Sequence, residues 1–149
     1  MYLPTGVKIN KQGHLAVEEV DLVECAERYG TPLYLYNETL IRRKCCEYSA
    51  ALTKNYPQGE IAFAGKSFLI MEMCRLLISE NLSLDVVSAG ELYVAKQAGF
   101  PMDRIYFHGN NKGLDELDLA LLLGVGRIVV DNIEELNLLN RLAKNKQVT

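Results

Sequence analysis

Leu82-Ser83-Leu84-Asp85-Val86-Val87-Ser88-Ala89-Gly90-Glu91-Leu92 decides how this chain is read. Residues 82–87 form a short, largely apolar run, and residues 89–98 have the composition of a helix. A run of this kind, apolar rather than strictly alternating, suits a parallel strand covered on both faces. The unit recurs. Ile61-Ala62-Phe63-Ala64 precedes a predicted helix over 70–80, Ile105-Tyr106-Phe107 one over 114–123, and Ile128-Val129-Val130 one over 133–144. Strand and helix alternating at this pitch predict right-handed βα units and an α/β fold. A polar residue closes each run: Lys66, Asp85, His108 and Asp131, spaced 19, 23 and 23 residues apart. In parallel βα proteins the functional groups gather at the C-terminal strand ends, so these four are expected to face one mouth.

Upstream the pattern differs. Val7-Lys8-Ile9-Asn10 and His14-Leu15-Ala16-Val17 flank Lys11-Gln12-Gly13 and predict a hairpin. A helix is expected over 21–28, capped by Gly30. Leu33-Tyr34-Leu35-Tyr36 reads as a strand after Thr31-Pro32. A helix of about 18 residues then starts at Asn37, with Leu40, Ile41, Cys45, Tyr48 and Leu52 at helical spacing.

The chain has 149 residues, 49% of them hydrophobic, 23% charged, and a net charge of −3. That composition suits a globular domain and excludes disorder. A slight acidic excess gives no basic footprint for nucleic acid or a membrane surface, and Arg42-Arg43-Lys44 reads as a solvated helix face. No run approaches the ~18 apolar residues of a membrane span. The first residues lack the pattern of a secretory signal. Cys25, Cys45, Cys46 and Cys74 show no CxxC spacing, so no metal site is expected. They read as free thiols of a reducing, cytoplasmic compartment.

Lys66 carries the most chemistry. An amine at a strand end can lose its proton and form a Schiff base with an aldehyde, or it can reach from the rim into solvent. Glu91 fits a capping box with Ser88, which explains both residues without catalysis. Asn132 and Glu135 share that offset. His108-Gly109-Asn110-Asn111-Lys112 is either a polar turn or a cluster of donors at the site face. Gly124-Val125-Gly126 follows a helix and precedes a strand, the reverse of a phosphate-binding order, so its glycines serve the turn.

Tyr29-Gly30-Thr31-Pro32-Leu33-Tyr34, Ala64-Gly65-Lys66-Ser67-Phe68, Leu84-Asp85-Val86-Val87-Ser88-Ala89-Gly90-Glu91-Leu92, Ala98-Gly99-Phe100-Pro101 and Phe107-His108-Gly109-Asn110-Asn111-Lys112 occur in order along the chain. Together they resemble the diaminopimelate decarboxylases, a family of fold type III decarboxylases that use pyridoxal 5′-phosphate. Gly65 and Ser67 depart from the neighbours that many members place around the lysine. The resemblance implies an alanine-racemase-like (β/α)8 TIM barrel, of which residues 31–149 would form the first half. Residues 1–30 would belong to a β-domain built from both chain ends. It implies pyridoxal phosphate bound covalently by Lys66, with Asp85 and His108 at the cofactor and Glu91 supporting the substrate side. The family's reaction releases CO2 from meso-2,6-diaminoheptanedioate to give L-lysine, the last step of lysine biosynthesis, in a cytoplasmic homodimer.

A complete barrel needs about 250 residues, and only four βα units are present. The family's glycine-rich phosphate site, Glu-Pro-Gly-Arg segment, acidic partner of the ring nitrogen and cross-dimer cysteine are not found in these residues. The expectation is an N-terminal segment that is inactive alone and prone to self-association through its open strand edges. Three other readings remain at this point: a non-catalytic pyridoxal-phosphate-binding barrel, an ornithine- or arginine-type decarboxylase, and a plain α/β domain.

Overall fold

The computed structural model describes Leu3 and residues 5–146. Two compact units divide at residues 44 and 45, within the helix that follows the N-terminal region. The first unit holds an antiparallel sheet of β1 (Val7–Ile9), β2 (Leu15–Val17) and β3 (Val20–Asp21), followed by α1 (Leu22–Tyr29). The expected hairpin is β1–β2, with Val7 opposite Val17.

Asp21 organises this unit. One carboxylate oxygen accepts the Val23 and Glu24 amides at 2.8 and 3.2 Å, capping α1. The other accepts the Asn10 amide group at 2.5 Å and lies 2.9 Å from His14 Nδ1. Burial works against the charge. Hydrogen bonds from His14, the Glu24 amide, Asn10 and the Val23 amide outweigh it and hold the carboxyl down at about 2.

The strand expected at Leu33-Tyr34-Leu35-Tyr36 does not form. Residues 33–36 are exposed and run without a ladder among the described residues. Tyrosine and leucine favour strands only where neighbours pack against them. α2 (Glu38–Asn55) follows, its first turn capped by Asn37, whose side-chain oxygen accepts the Leu40 amide at 2.9 Å.

The second unit is the βα series. Strands β4 (Ala62–Ala64), β5 (Ser83–Val86), β6 (Ile105–Phe107) and β7 (Arg127–Ile128) form a parallel sheet in chain order. Helices α3 (Met71–Ser79), α4 (Ala89–Gln97), α5 (Leu114–Leu123) and α6 (Ile133–Lys146) follow them in turn. The last strand was expected over 128–130. It begins one residue earlier and ends at Ile128, although the Val129 amide still donates to Phe107 O at 2.9 Å.

The expectation that both sheet faces are covered is corrected. Leu84, Val86, Ile105 and Phe107 are fully buried, and so are Cys74, Leu77, Leu92, Leu117 and Ala120 on the helices. The intervening strand residues Asp85 and Tyr106 are only half-buried. Among the described residues helices cover one face; β6 alternates, while in β5 Ser83 on the open face is buried as well. The apolar character of 61–64 and 82–87 concealed this because Ala62 and Ala64 occupy the uncovered face at no great cost.

The α5–β7 turn depends on glycine in two different ways. Gly124 ends α5 with φ 69° and ψ 41°, a left-handed cap with open space around it. Gly126 has no positive φ, but a Cβ there would lie 1.9 Å from the Asp103 carbonyl oxygen. Backbone must move to admit it. Gly126→Ala is expected to cost roughly 1–3 kcal/mol or more in urea unfolding, and Gly124→Ala about 1 kcal/mol. Equal losses would refute the contact argument.

A second prediction concerns Asp21. Its carboxyl is held below the ordinary 3.8, so its stabilisation is complete above that pH and fades as pH falls toward about 2. Asp21→Asn should melt lower than the parent at pH 7, and the two should converge near pH 2. A gap in melting temperature that is constant with pH would sink this account.

Candidate functional site

Parallel pairing sets Ala64, Asp85, Tyr106 and Arg127 side by side across the four strands. They share the face opposite Leu84, Val86, Ile105 and Phe107, since successive strand residues point to opposite sides. The strand-end set of Lys66, Asp85, His108 and Asp131 is thereby corrected. Lys66 and His108 each lie two residues past this row, Asp131 lies four past it, and Asp85 is in the row itself. The strands end within one residue of the row, but the polar residue chosen for each lies at a different distance from it.

Lys66 sits in a single 3-10 turn (Gly65–Ser67) directly after β4. The Ser67 hydroxyl closes that turn by donating to Ala64 O at 2.7 Å. A Cβ on Gly65 would stand 3.0 Å from the Asp85 carbonyl oxygen, so the turn packs closely on β5. Lys66 is exposed, and its amine has no hydrogen-bond or ion-pair partner among the described residues.

Asp85 and His108 are brought together. The carboxylate, 23% exposed, lies 3.7 Å from His108 Nδ1, an ion-pair separation too long for a hydrogen bond. The His108 amide continues the ladder by donating to Val86 O at 2.8 Å. After it, Gly109 takes φ +106°, with the position of a Cβ only 3.2 Å from Val87 O. Glycine alone suits both the angle and the approach.

Glu91 acts as a cap, with one change from expectation. Ser88 Oγ accepts the Glu91 amide at 3.3 Å, but the Glu91 carboxylate accepts the Val87 amide, at 2.5 Å, rather than that of Ser88. It thus holds the loop after β5. Glu116, which the sequence did not single out, spans two helix starts: it accepts the Ala89 amide at 2.9 Å and the Gly113 amide at 3.0 Å.

Lys112 belongs to the structure rather than to the open mouth. Its side chain is 1% exposed, and Nζ lies 2.5 Å from Gly109 O, 2.9 Å from Val129 O and 2.8 Å from Glu135 Oε1. Asn132 caps α6 as expected, accepting the Glu135 amide at 2.8 Å. The Glu135 carboxylate goes to Lys112 instead of completing a capping box.

Nearer the N-terminal strand ends, Glu60 gathers a polar layer that also went unread. It accepts the Tyr106 hydroxyl at 2.5 Å and the Ser83 hydroxyl, with Arg127 at 3.5 Å. Hydrogen bonds from Ser83 and Tyr106 hold its carboxyl below the ordinary range despite burial, and Arg127 and Arg104 add to this. The same bond pushes the Tyr106 hydroxyl up. A visible signal existed: Asp85, Tyr106 and Arg127 recur every 21 residues.

Among the described residues no three His, Cys, Asp or Glu side chains gather to hold a metal ion. No described helix is long and apolar enough to cross a membrane.

Comparison with known proteins agrees with this geometry. The family model described as "pyridoxal-dependent decarboxylase, pyridoxal binding domain" matches residues 39–149. Diaminopimelate decarboxylase of Bacillus methanolicus is 45% identical over 99% of the chain and 34% of its own length. That of Bacillus subtilis is 46% identical over 97% of the chain and 33% of its length. The crystal structure of diaminopimelate decarboxylase from M. jannaschii with L-lysine superposes with a TM-score of 0.84 at 32% identity, covering 97% of this chain and 34% of that one. The chain spans about a third of these relatives. With a parallel βα sheet and a family match over most of its length, the chain belongs to the pyridoxal-dependent decarboxylases, in their pyridoxal-binding domain.

Proposed function

We propose that these residues supply the lysine-bearing half of a pyridoxal-phosphate-dependent decarboxylase acting on meso-2,6-diaminoheptanedioate to give L-lysine and CO2. The observation that carries this reading is Lys66: an exposed amine with no partner among the described residues, in the turn directly after β4, two residues past the Ala64 that pairs with Asp85. Imine formation requires an amine that an aldehyde can reach, and Lys66 is exposed at the strand end where the loops open. The residues fit the cofactor on those grounds.

Lys66 would hold pyridoxal phosphate covalently, and Asp85 and His108 would bound its ring at the same mouth. Bound there, the cofactor supplies an electron-poor ring that accepts the electron pair left when the substrate carboxylate departs as CO2. Lys66 would have to give way to the substrate amine before that carboxylate could leave, and its exposure permits this. Asp85 offers an anion, and His108 a ring nitrogen, within ion-pair reach of each other. Glu91 acts one step back, by holding the loop after β5 through the Val87 amide.

In this reading residues 1–30 belong to a β-domain and residues 31–149 to the first half of a (β/α)8 barrel. The outer edges of β4 and β7 have no ladder partner among the described residues, which is what a half-barrel awaiting further strands presents. The working enzyme is proposed to be a cytoplasmic homodimer, and the 149-residue chain alone to be inactive.

Borohydride reduction of the full-length protein loaded with pyridoxal phosphate, followed by peptide mapping, tests the assignment. Label is expected on Lys66, and Lys66→Ala should abolish both label and CO2 release. Label on another lysine, with Lys66→Ala still active, would overturn it.

A further inference from the structure

We propose that Lys112 and Glu135 are positioning residues for His108, a buried ion pair that fixes the loop after β6 at the mouth of the sheet. The inference rests on the functional reading of that mouth given above.

The loop between β6 and α5 has little backbone holding it. Among the described residues, the amides of residues 109–112 donate no backbone hydrogen bond. Its carbonyl at Gly109 is held by the Lys112 ammonium, which reaches Val129 O at the end of β7 with the same nitrogen. Glu135, in the first turn of α6, supplies the opposing charge at 2.8 Å. One ammonium thus ties the residue after His108 to the next strand and the next helix. The far end of the loop is anchored separately, through the Gly113 amide on Glu116.

Physical cost separates this arrangement from a casual salt bridge. The two side chains are 1% and 7% exposed. Removing two charges from water costs several kcal/mol per ion in proteins, and an apolar pair of similar volume is often as stable or more so. Stability alone gives such a pair no clear advantage. What it provides is direction: the ammonium donates to the Gly109 and Val129 carbonyls while the Glu135 carboxylate balances its charge as an ion pair without hydrogen-bond geometry, which fixes where Gly109, and hence His108, stands. Lys112 also lies 5.9 Å from the Phe107 ring centroid, on the covered side of the sheet. With its nitrogen enclosed by three oxygens, Lys112 acts through His108 and does not itself meet substrate.

The test uses the full-length protein and the double variant Lys112→Met with Glu135→Leu, which removes both charges but keeps apolar volume. The variant is expected to melt cooperatively. Amides of residues 108–111 should exchange hydrogen at least about 10-fold faster, with those of α4 unchanged. Affinity for pyridoxal phosphate and kcat should each fall roughly 10-fold, with KM nearly unmoved, as displacement of an orienting group predicts. Unchanged loop exchange would overturn the proposal, and so would a loosened loop with wild-type cofactor affinity and kcat. A wild-type protein without the visible absorbance of a lysine-bound cofactor would count against the functional reading instead, while loop exchange still decides the pair. Should the variant fail to fold, acylation of wild-type lysines gives the answer. Lys112 is expected to react far more slowly than exposed Lys96, and equal rates would refute the buried anchor.

Discussion

The parallel register of β4 through β7 governs where every polar group at the sheet's open face can stand. It is held by burial of the opposite face. Leu84, Val86, Ile105 and Phe107 are wholly removed from water, each contributing on the order of 1.5–3 kcal/mol. A slip of one residue would turn these four outward and drive Asp85 and Tyr106 into the helix layer. The charged residues therefore need no mutual attraction to gather at one mouth. Hydrophobic burial behind the sheet puts them there, and Asp85 and His108 meet at 3.7 Å as a consequence.

Placement along the sheet is coarse, and the loops require finer control. Each helix start leaves backbone amides without intrahelical partners. Here side chains supply acceptors for them: Ser88 and Glu91 at α4, Glu116 at α5, Asn132 at α6. Acidic groups in these positions also meet the positive end of the helix dipole. Glu116 goes further by accepting from Ala89 as well as Gly113, so two consecutive βα loops share one carboxylate. Lys112 performs the complementary task for carbonyls.

Fold and elements were largely legible in the sequence, because apolar runs and helix signals alternate strongly from residue 60 onward. The helix over 114–123 was read to the residue. The strand at 33–36 was misread because propensity carries no information about a partner. The two-faced covering of the sheet was misread because small alanines on the open face look apolar. Depth was the harder quantity. Counting from the ends of apolar runs grouped Lys66 with Asp85, whereas the 21-residue repeat groups Asp85 with Tyr106 and Arg127. Residues acting across elements left no local trace. Lys112 and Glu135 are 23 positions apart in the sequence, and nothing near either one predicts the other.

Lys66 and Lys112 place one side-chain type in two different environments at the same end of one sheet. Both follow a strand and a short turn, and composition does not tell them apart. Lys112 lies within 2.9 Å of three oxygens and is almost completely enclosed, so its nitrogen is committed and its charge is held in place. Lys66 is exposed, and its amine has no hydrogen-bond or ion-pair partner among the described residues. On the proposed reading Lys66 has to exchange between cofactor and substrate, whereas contacts like those at Lys112 would hold an amine in place.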